Sequence, residues 1–181
     1  MTNPLWAPWR MEYILGAKGH DASPRAEACI FCGVADATAE ARRERLVVVS
    51  TPRVFVMLNR YPFAPGHLLI VPHAHAGPLE ELTREDHDAL FLLVRESCVR
   101  LKRALRAEGL NVGLNLGAVA GAGFAAHLHV HVVPRWSGDT NFMPVIADTR
   151  VMPQALSATQ AHLEKFFADL DGAAQGPEAS F

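Results

Sequence analysis

The chain has 181 residues, half of them apolar and a fifth charged, with a formal net charge of −2. That length can bury a core without disulfides, and the composition excludes a largely disordered chain. The slightly negative balance excludes a general nucleic-acid grip, because a backbone reader needs a basic surface, but it leaves room for a local basic pocket for one small phosphorylated ligand.

Met1 to Arg10 lacks the charged-then-apolar pattern of a signal peptide, and no apolar run approaches membrane-spanning length. A cytoplasmic protein without membrane contact is expected. Residues 1–28 have no steady period and read as an arm, with Trp6, Pro8, Trp9, Met11 and Tyr13 packing on the domain surface or lining its site. Cys29 and Cys32 stand in a C-x-x-C spacing that suits a metal or a redox pair. No thioredoxin-like context surrounds them, which favours the metal. Residues 36–45 read as a short polar helix or loop, and Arg42, Arg43 and Arg45 within it as a solvated face or a patch that steers anions.

Leu46–Ser50 and Arg53–Leu58 are rich in β-branched and aromatic residues and read as strands on either side of a turn at Pro52. Asn59–Gly66 then turns the chain into a third strand, Leu68–Val71, which predicts an antiparallel meander. Thr83 and Asp86 resemble a capping box. Leu90, Leu93, Val94, Cys98, Leu101 and Leu105 follow at helical spacing until Gly109, with Cys98 as inert core. Val112–Leu116 and Leu128–Val133 read as strands separated by the small-residue loop Gly117–Ala126. Ser157 is the expected N-cap of a last helix running to about Leu170, with Asp171–Phe181 a frayed tail.

Strands, one long helix and strands again do not make a βαβ alternation, so the expected class is α+β, an antiparallel sheet of about five strands with the long helix on one face. The expected divisions are an arm at 1–28, a domain at 29–136 and a C-terminal extension with a terminal helix at 137–181.

His127, His129 and His131 alternate with Leu128, Val130 and Val132, which on a strand puts three imidazoles on one face, spaced roughly 7 Å apart. Like charge and partial burial keep such imidazoles neutral near pH 7, so one can serve as a nucleophile. A metal-only site built on the H-x-H pattern is the competing reading. It lacks a carboxylate, since no Asp or Glu occurs between Gly109 and Gly138.

His127-Leu128-His129-Val130-His131-Val132-Val133 matches the pattern of the histidine-triad (HIT) family, and Asn59-Arg60-Tyr61-Pro62-Phe63-Ala64-Pro65-Gly66-His67 resembles that family's upstream segment. The Trp6-Ala7-Pro8-Trp9-Arg10 arm and the Pro134-Arg135-Trp136 continuation are most similar to the bacterial branch that includes diadenosine tetraphosphate phosphorylases. The resemblance implies a nucleotidyltransferase or hydrolase in which His129 attacks the α-phosphorus, His131 hydrogen-bonds the phosphate and His67 supports the array. It places Asn59 at the ribose, Asn115 beside the phosphates and Trp136 at the nucleotide. The Gly117–Ala126 loop adds backbone N–H groups around Gly121 and Gly123 that can approach phosphate oxygens, or is simply a flexible surface loop.

Cys29, Cys32, His75 and His127 fit the places of a zinc site found in some family members, one structural ion per chain that would brace the triad segment. The expected substrate is an adenine nucleotide or dinucleoside polyphosphate, with inorganic phosphate as an acceptor, and the family resemblance implies a homodimer. Hydrolysis of nucleoside phosphoramidates or dinucleoside polyphosphates, and nucleotide sensing without turnover, are the alternatives. One departure stands out: many members carry Gln or Ser four residues before the first triad histidine, where this chain has Gly123, followed by Phe124.

Overall fold

The computed structural model describes residues 29–139 and 154–170. The aromatic arm at 1–28 and the tail at 171–181 therefore lie outside the described residues. A five-stranded sheet organises the rest: β1 (Val47–Ser50), β2 (Val54–Leu58), β3 (Leu68–Pro72), β4 (Gly109–Leu114) and β5 (Val130–Arg135), in the order β1-β2-β3-β5-β4 with every pairing antiparallel. The meander is the expected one, and the last strand in sequence inserts between β3 and β4.

Helix α1 (Ala39–Glu44) precedes the sheet, α2 (Arg84–Leu105) follows β3, and α3 (Leu156–Phe167) closes the described chain. At the start of α2 the Thr83 hydroxyl accepts the Asp86 backbone N–H at 3.2 Å and donates to the Asp86 carboxylate at 2.7 Å. Arg53 donates to the same carboxylate at 2.7 Å, tying β2 to the helix. Leu90, Leu93, Val94, Ser97 and Leu101 form the buried stripe that 3.6-residue periodicity requires. The helix ends not at Gly109 but at Arg106, which takes the left-handed conformation (φ 51°). The Trp136 indole N–H donates to the carbonyls of Leu105 and Arg106 at 3.3 and 3.2 Å, satisfying groups that a helix end leaves open.

Strand limits follow the ladder rather than local β-propensity. Gly109 through Leu114 pair with Arg135 through Val130, so β4 begins three residues before the expected Val112. β5 begins at Val130, and His127 and His129 lie on its lead-in, where the Leu128 N–H donates to the Ala76 carbonyl at 2.7 Å. The last helix starts at Leu156 with Ala155 at its N-cap and no side-chain cap, so Ser157, the expected cap, lies inside its first turn.

Packing explains that uncapped start. Leu163 and Phe167 of α3 are fully buried in the main core, each contributing roughly 1.5–3 kcal/mol. Gln160 donates from its amide to the Val47 carbonyl at 2.9 Å, and Arg100 of α2 grips the Phe166 carbonyl and the Asp169 carboxylate. The helix expected in a C-terminal extension thus shares the core of residues 29–139.

Two apolar layers flank the sheet. The α2 and α3 side takes Val54, Val56, Leu58, Leu68, Ile70 and, from the triad segment, Leu128, Val130 and Val132. The opposite side takes Cys29, Phe31, Val34, Phe55, Leu69 and Val71. The three histidines project toward this second, thinner layer.

Candidate active site and metal cluster

The loop from Asn59 to His67 folds tightly on itself. The Asn59 N–H donates to the His67 carbonyl at 2.9 Å, the His67 N–H to the Ala64 carbonyl at 3.1 Å, and the Tyr61 N–H to the Asn59 side-chain oxygen at 2.9 Å. Gly66 turns the chain in the left-handed region (φ 77°) directly under α2, where a Cβ would collide with Leu105. His67, fully buried, is thereby aimed across β3 at the triad.

Backbone partners dictate the proton positions. The Phe63 N–H donates to His67 Nδ1 at 3.1 Å and the Asn59 amide nitrogen lies 3.4 Å from the same atom, so His67 carries its proton on Nε2. That proton is donated to His131 Nδ1 at 2.9 Å, leaving the His131 proton on Nε2. His129 donates its Nδ1–H to the His127 carbonyl at 2.9 Å, which leaves Nε2 with a free lone pair. His127 donates Nε2–H to the Pro72 carbonyl at 2.8 Å, so its Nδ1 is bare. One segment thus presents a bare nitrogen for attack beside an N–H for donation.

Burial keeps these imidazoles neutral. His131 is pushed down to about 4, by burial first and then by the neighbouring His129. His129 also lies below the ordinary imidazole range because of burial, against which its bond to the His127 carbonyl works. The rings of His129 and His131 lie 5.0 Å apart between centroids, closer than an ideal strand repeat, with His129 on the lead-in before β5.

Aromatic rings wall the pair in. Phe31, between the two cysteines, sits 5.2 Å from the His129 ring and 5.4 Å from that of His127, and Phe124 meets it edge-on at 5.6 Å. Phe63 lies over His67 at 4.8 Å and His131 at 6.2 Å. Neither Phe31 nor Phe63 was among the expected site residues. The signal available was their position, one inside the C-x-x-C and one inside the segment ending at His67.

Cys29, Cys32, His75 and His127 offer four ligand atoms within 4.8 Å of one another, so these residues could bind a metal ion. Cys29 Sγ lies 3.3 Å from His127 Nδ1 and Cys32 Sγ 3.3 Å from His75 Nδ1. The Phe31 N–H donates to Cys29 Sγ at 3.4 Å. Burial, with the adjoining Cys29, pushes the Cys32 thiol up to about 11, so Cys32 needs a cation beside it to ionise near neutral pH. Two cysteine sulfurs and two imidazole nitrogens are the donor set of a closed zinc site, which would leave no open position on the ion.

Helix α1 braces that cluster. Arg45 donates to the Cys32 carbonyl at 2.8 Å, and Arg42 donates to the carbonyls of Val34 and Ala35 at 3.1 and 2.6 Å. The arginine run lies on a solvated face, as expected, with Arg43 and Arg45 exposed, and Arg42 and Arg45 also hold the backbone around the cysteines.

The other expected site residues divide. Asn59 is engaged with the loop at His67. Asn115 donates from its amide to the Gly121 carbonyl at 3.4 Å and so anchors the Gly117–Ala126 loop. Gly121 and Gly123 are exposed on that loop, which is seated at its far end where Gly77, allowing close approach, meets the Ala125 carbonyl. Trp136 is not brought to the triad within this chain, because its indole caps α2 on the other side of the sheet.

The HIT domain profile matches residues 40–138. A Mycobacterium tuberculosis protein named "AP-4-A phosphorylase" is 41% identical over 158 residues, covering 86% of this chain and 80% of that protein. Among solved structures, a zinc-bound histidine triad family protein from Mycobacterium smegmatis aligns with a TM-score of 0.56 at 26% identity, over 82% of this chain and 99% of that one. A hypothetical histidine triad nucleotide-binding protein from Sulfolobus tokodaii aligns with a TM-score of 0.58 at 25% identity, over 69% of this chain and 85% of that one. With its histidine segment, sheet and matched profile in agreement, this chain belongs to the histidine-triad family.

Proposed function

We propose that the protein transfers a nucleotidyl group from a dinucleoside polyphosphate through a covalent intermediate on His129, in the manner of a diadenosine tetraphosphate phosphorylase. The observation that carries this reading is the His129 Nδ1–H bond to the His127 carbonyl, which leaves Nε2 bare inside an apolar, partly closed wall. The 41% identity to the "AP-4-A phosphorylase" over most of the chain supports the substrate class.

His129 Nε2 attacks the α-phosphorus of diadenosine tetraphosphate, the P–O bond to the rest of the molecule breaks, and ATP departs. The His131 Nε2–H hydrogen-bonds a phosphate or leaving oxygen, and the His67 bond to Nδ1 holds that proton in place. The His127 carbonyl steadies the positive charge that grows on His129. Phosphate then attacks the adenylyl-His129 phosphorus, releasing ADP and restoring the imidazole. Asn59 at the ribose, and Asn115 with the Gly121 and Gly123 backbone at the phosphates, complete the proposed site.

Cys29, Cys32, His75 and His127 would hold zinc as a structural ion, and its bond to His127 Nδ1 would fix the carbonyl that orients His129. The zinc-bound relative from Mycobacterium smegmatis supports that choice of metal. The proposed domain spans 29–136, preceded by the arm and completed by α3. A homodimer is supported by exposed Leu92 and Val99 on α2 and Val112 on the edge strand β4. No described helix is long and apolar enough to cross a membrane, and the three free thiols suit a cytoplasmic setting. The deciding experiment is mass spectrometry of protein quenched with diadenosine tetraphosphate: an acid-labile adenylyl group on His129 is expected, and turnover with no adduct on any histidine would overturn the mechanism.

A further inference from the structure

Among the described residues, the second layer on the site face reaches β5 and stops. Cys29, Phe31 and Val34 pack on Val47, Phe55, Leu69 and Val71 of β1 to β3, whereas Asn111 and Gly113 of β4, on the same face, are exposed. Gly113 is the register partner of His131, and a Cβ built on it meets nothing within 4 Å. On its other side His131 is crowded by its β3 partner Leu69 and by the rings of His67 and Phe63, at 5.1 and 6.2 Å. Among the described residues, the open room beside His131 is over β4.

In-line displacement puts the leaving oxygen opposite the attacking nitrogen. With His131 donating to the leaving oxygen, as proposed above, the leaving group lies toward His131 and whatever adjoins it. We infer that Gly113 is a specificity-determining residue: its missing side chain keeps open the lane along β4 through which a nucleoside polyphosphate leaves.

Directly opposed strand residues hold their Cβ atoms about 4.5–5.5 Å apart, so a side chain at 113 would stand against the His131 ring. Past Gly113 the lane runs over Asn111, whose side-chain oxygen accepts from Arg135 at 3.0 Å, while Asp139 binds the rest of that guanidinium at 2.6 and 2.8 Å. A polyphosphate would therefore pass a polar strand that ends at the Arg135–Asp139 ion pair. A small leaving group, such as ammonia from a phosphoramidate, departs without entering the lane.

The inference rests on the nucleotidyl-transfer reading, and one experiment separates the two. Full-length wild type, Gly113→Ala and Gly113→Val are assayed with diadenosine tetraphosphate and with adenosine 5′-phosphoramidate. For the tetraphosphate, kcat/KM should fall about tenfold or more with Val and less with Ala, while the phosphoramidate value stays within about twofold. Valine suits a β-strand, and melting curves check that the fold is kept; alanine carries the test should valine fail to fold. Equal losses on both substrates, or no loss on the tetraphosphate, would overturn the role of Gly113. Wild-type protein inert toward both would overturn the nucleotidyl-transfer reading, and this inference with it.

Discussion

His129 donates its Nδ1–H to the backbone carbonyl of His127, 2.9 Å away, and His127 is also one corner of the cysteine and histidine cluster. The group proposed to attack phosphorus is therefore oriented by a residue whose own ring the cluster holds. A peptide carbonyl only accepts, so this one bond settles which nitrogen of His129 is free.

Removing that nitrogen should remove chemistry and spare binding. His129→Ala is expected to lower turnover of diadenosine tetraphosphate by several orders of magnitude, with nucleotide affinity changed by less than about tenfold. Single-turnover assays and calorimetric titration measure the two quantities. Turnover near the wild-type rate would refute the assignment.

One zinc per chain is expected, with metal–sulfur distances of about 2.3 Å and metal–nitrogen distances of about 2.0–2.1 Å. Cys32→Ser should lower the melting temperature more than it lowers the rate at low temperature, because a closed ion braces the fold rather than touching substrate. Elemental analysis of protein purified without chelator gives the stoichiometry, and a metal-free result would count against the site.

The hold of α1 on the cluster can be tested apart from activity. Arg45→Leu removes the donor to the Cys32 carbonyl and should speed zinc loss to a chromophoric chelator by roughly tenfold, as changes around metal ligands commonly do. An unchanged rate of loss would leave Arg45 as packing alone.

The acceptor separates phosphorylase from hydrolase. Diadenosine tetraphosphate should be cleaved faster with inorganic phosphate, giving ATP and ADP, and chromatography of paired incubations resolves the products. Gly123 works in the other direction, since it offers no side-chain hydrogen bond to the scissile phosphates. AMP and ATP in both incubations would therefore place the enzyme among hydrolases.

Acid should destabilise the fold through His131, whose value in the folded chain is about 4 against about 6.5 for an unfolded imidazole. Between those values the unfolded chain binds more protons, so stability is lost as pH falls from about 6.5 toward 4 and is level above it. His131→Gln should flatten that part of the curve. Denaturant melts at pH 5 and 7.5 measure it, and an identical slope in the variant would exclude His131 as a source.

Much of the site was legible because it depends on neighbours along the chain. Alternation at 127–132 decides that Leu128, Val130 and Val132 enter the α2 core while the histidines face away, whatever lies on either side. The same local logic carries the long helix and its Thr83 cap. The C-x-x-C suited a metal or a redox pair, and its partners His75 and His127 came from family resemblance.

Contacts between distant segments were not legible, because no periodicity encodes them. β5 inserts between β3 and β4, and its pairing with β4 puts Gly113 beside His131, while its continuation brings Trp136 to the end of α2. Ser157 looked like a cap because capping is a local preference, yet burial of Leu163 and Phe167 and the Gln160 bond to Val47 set where α3 starts. The sequence by itself determined which side chains share a face. Only the tertiary structure decided what each face meets, since a side chain's neighbours across the sheet are separated along the chain by tens of residues and are selected by the packing of the whole core.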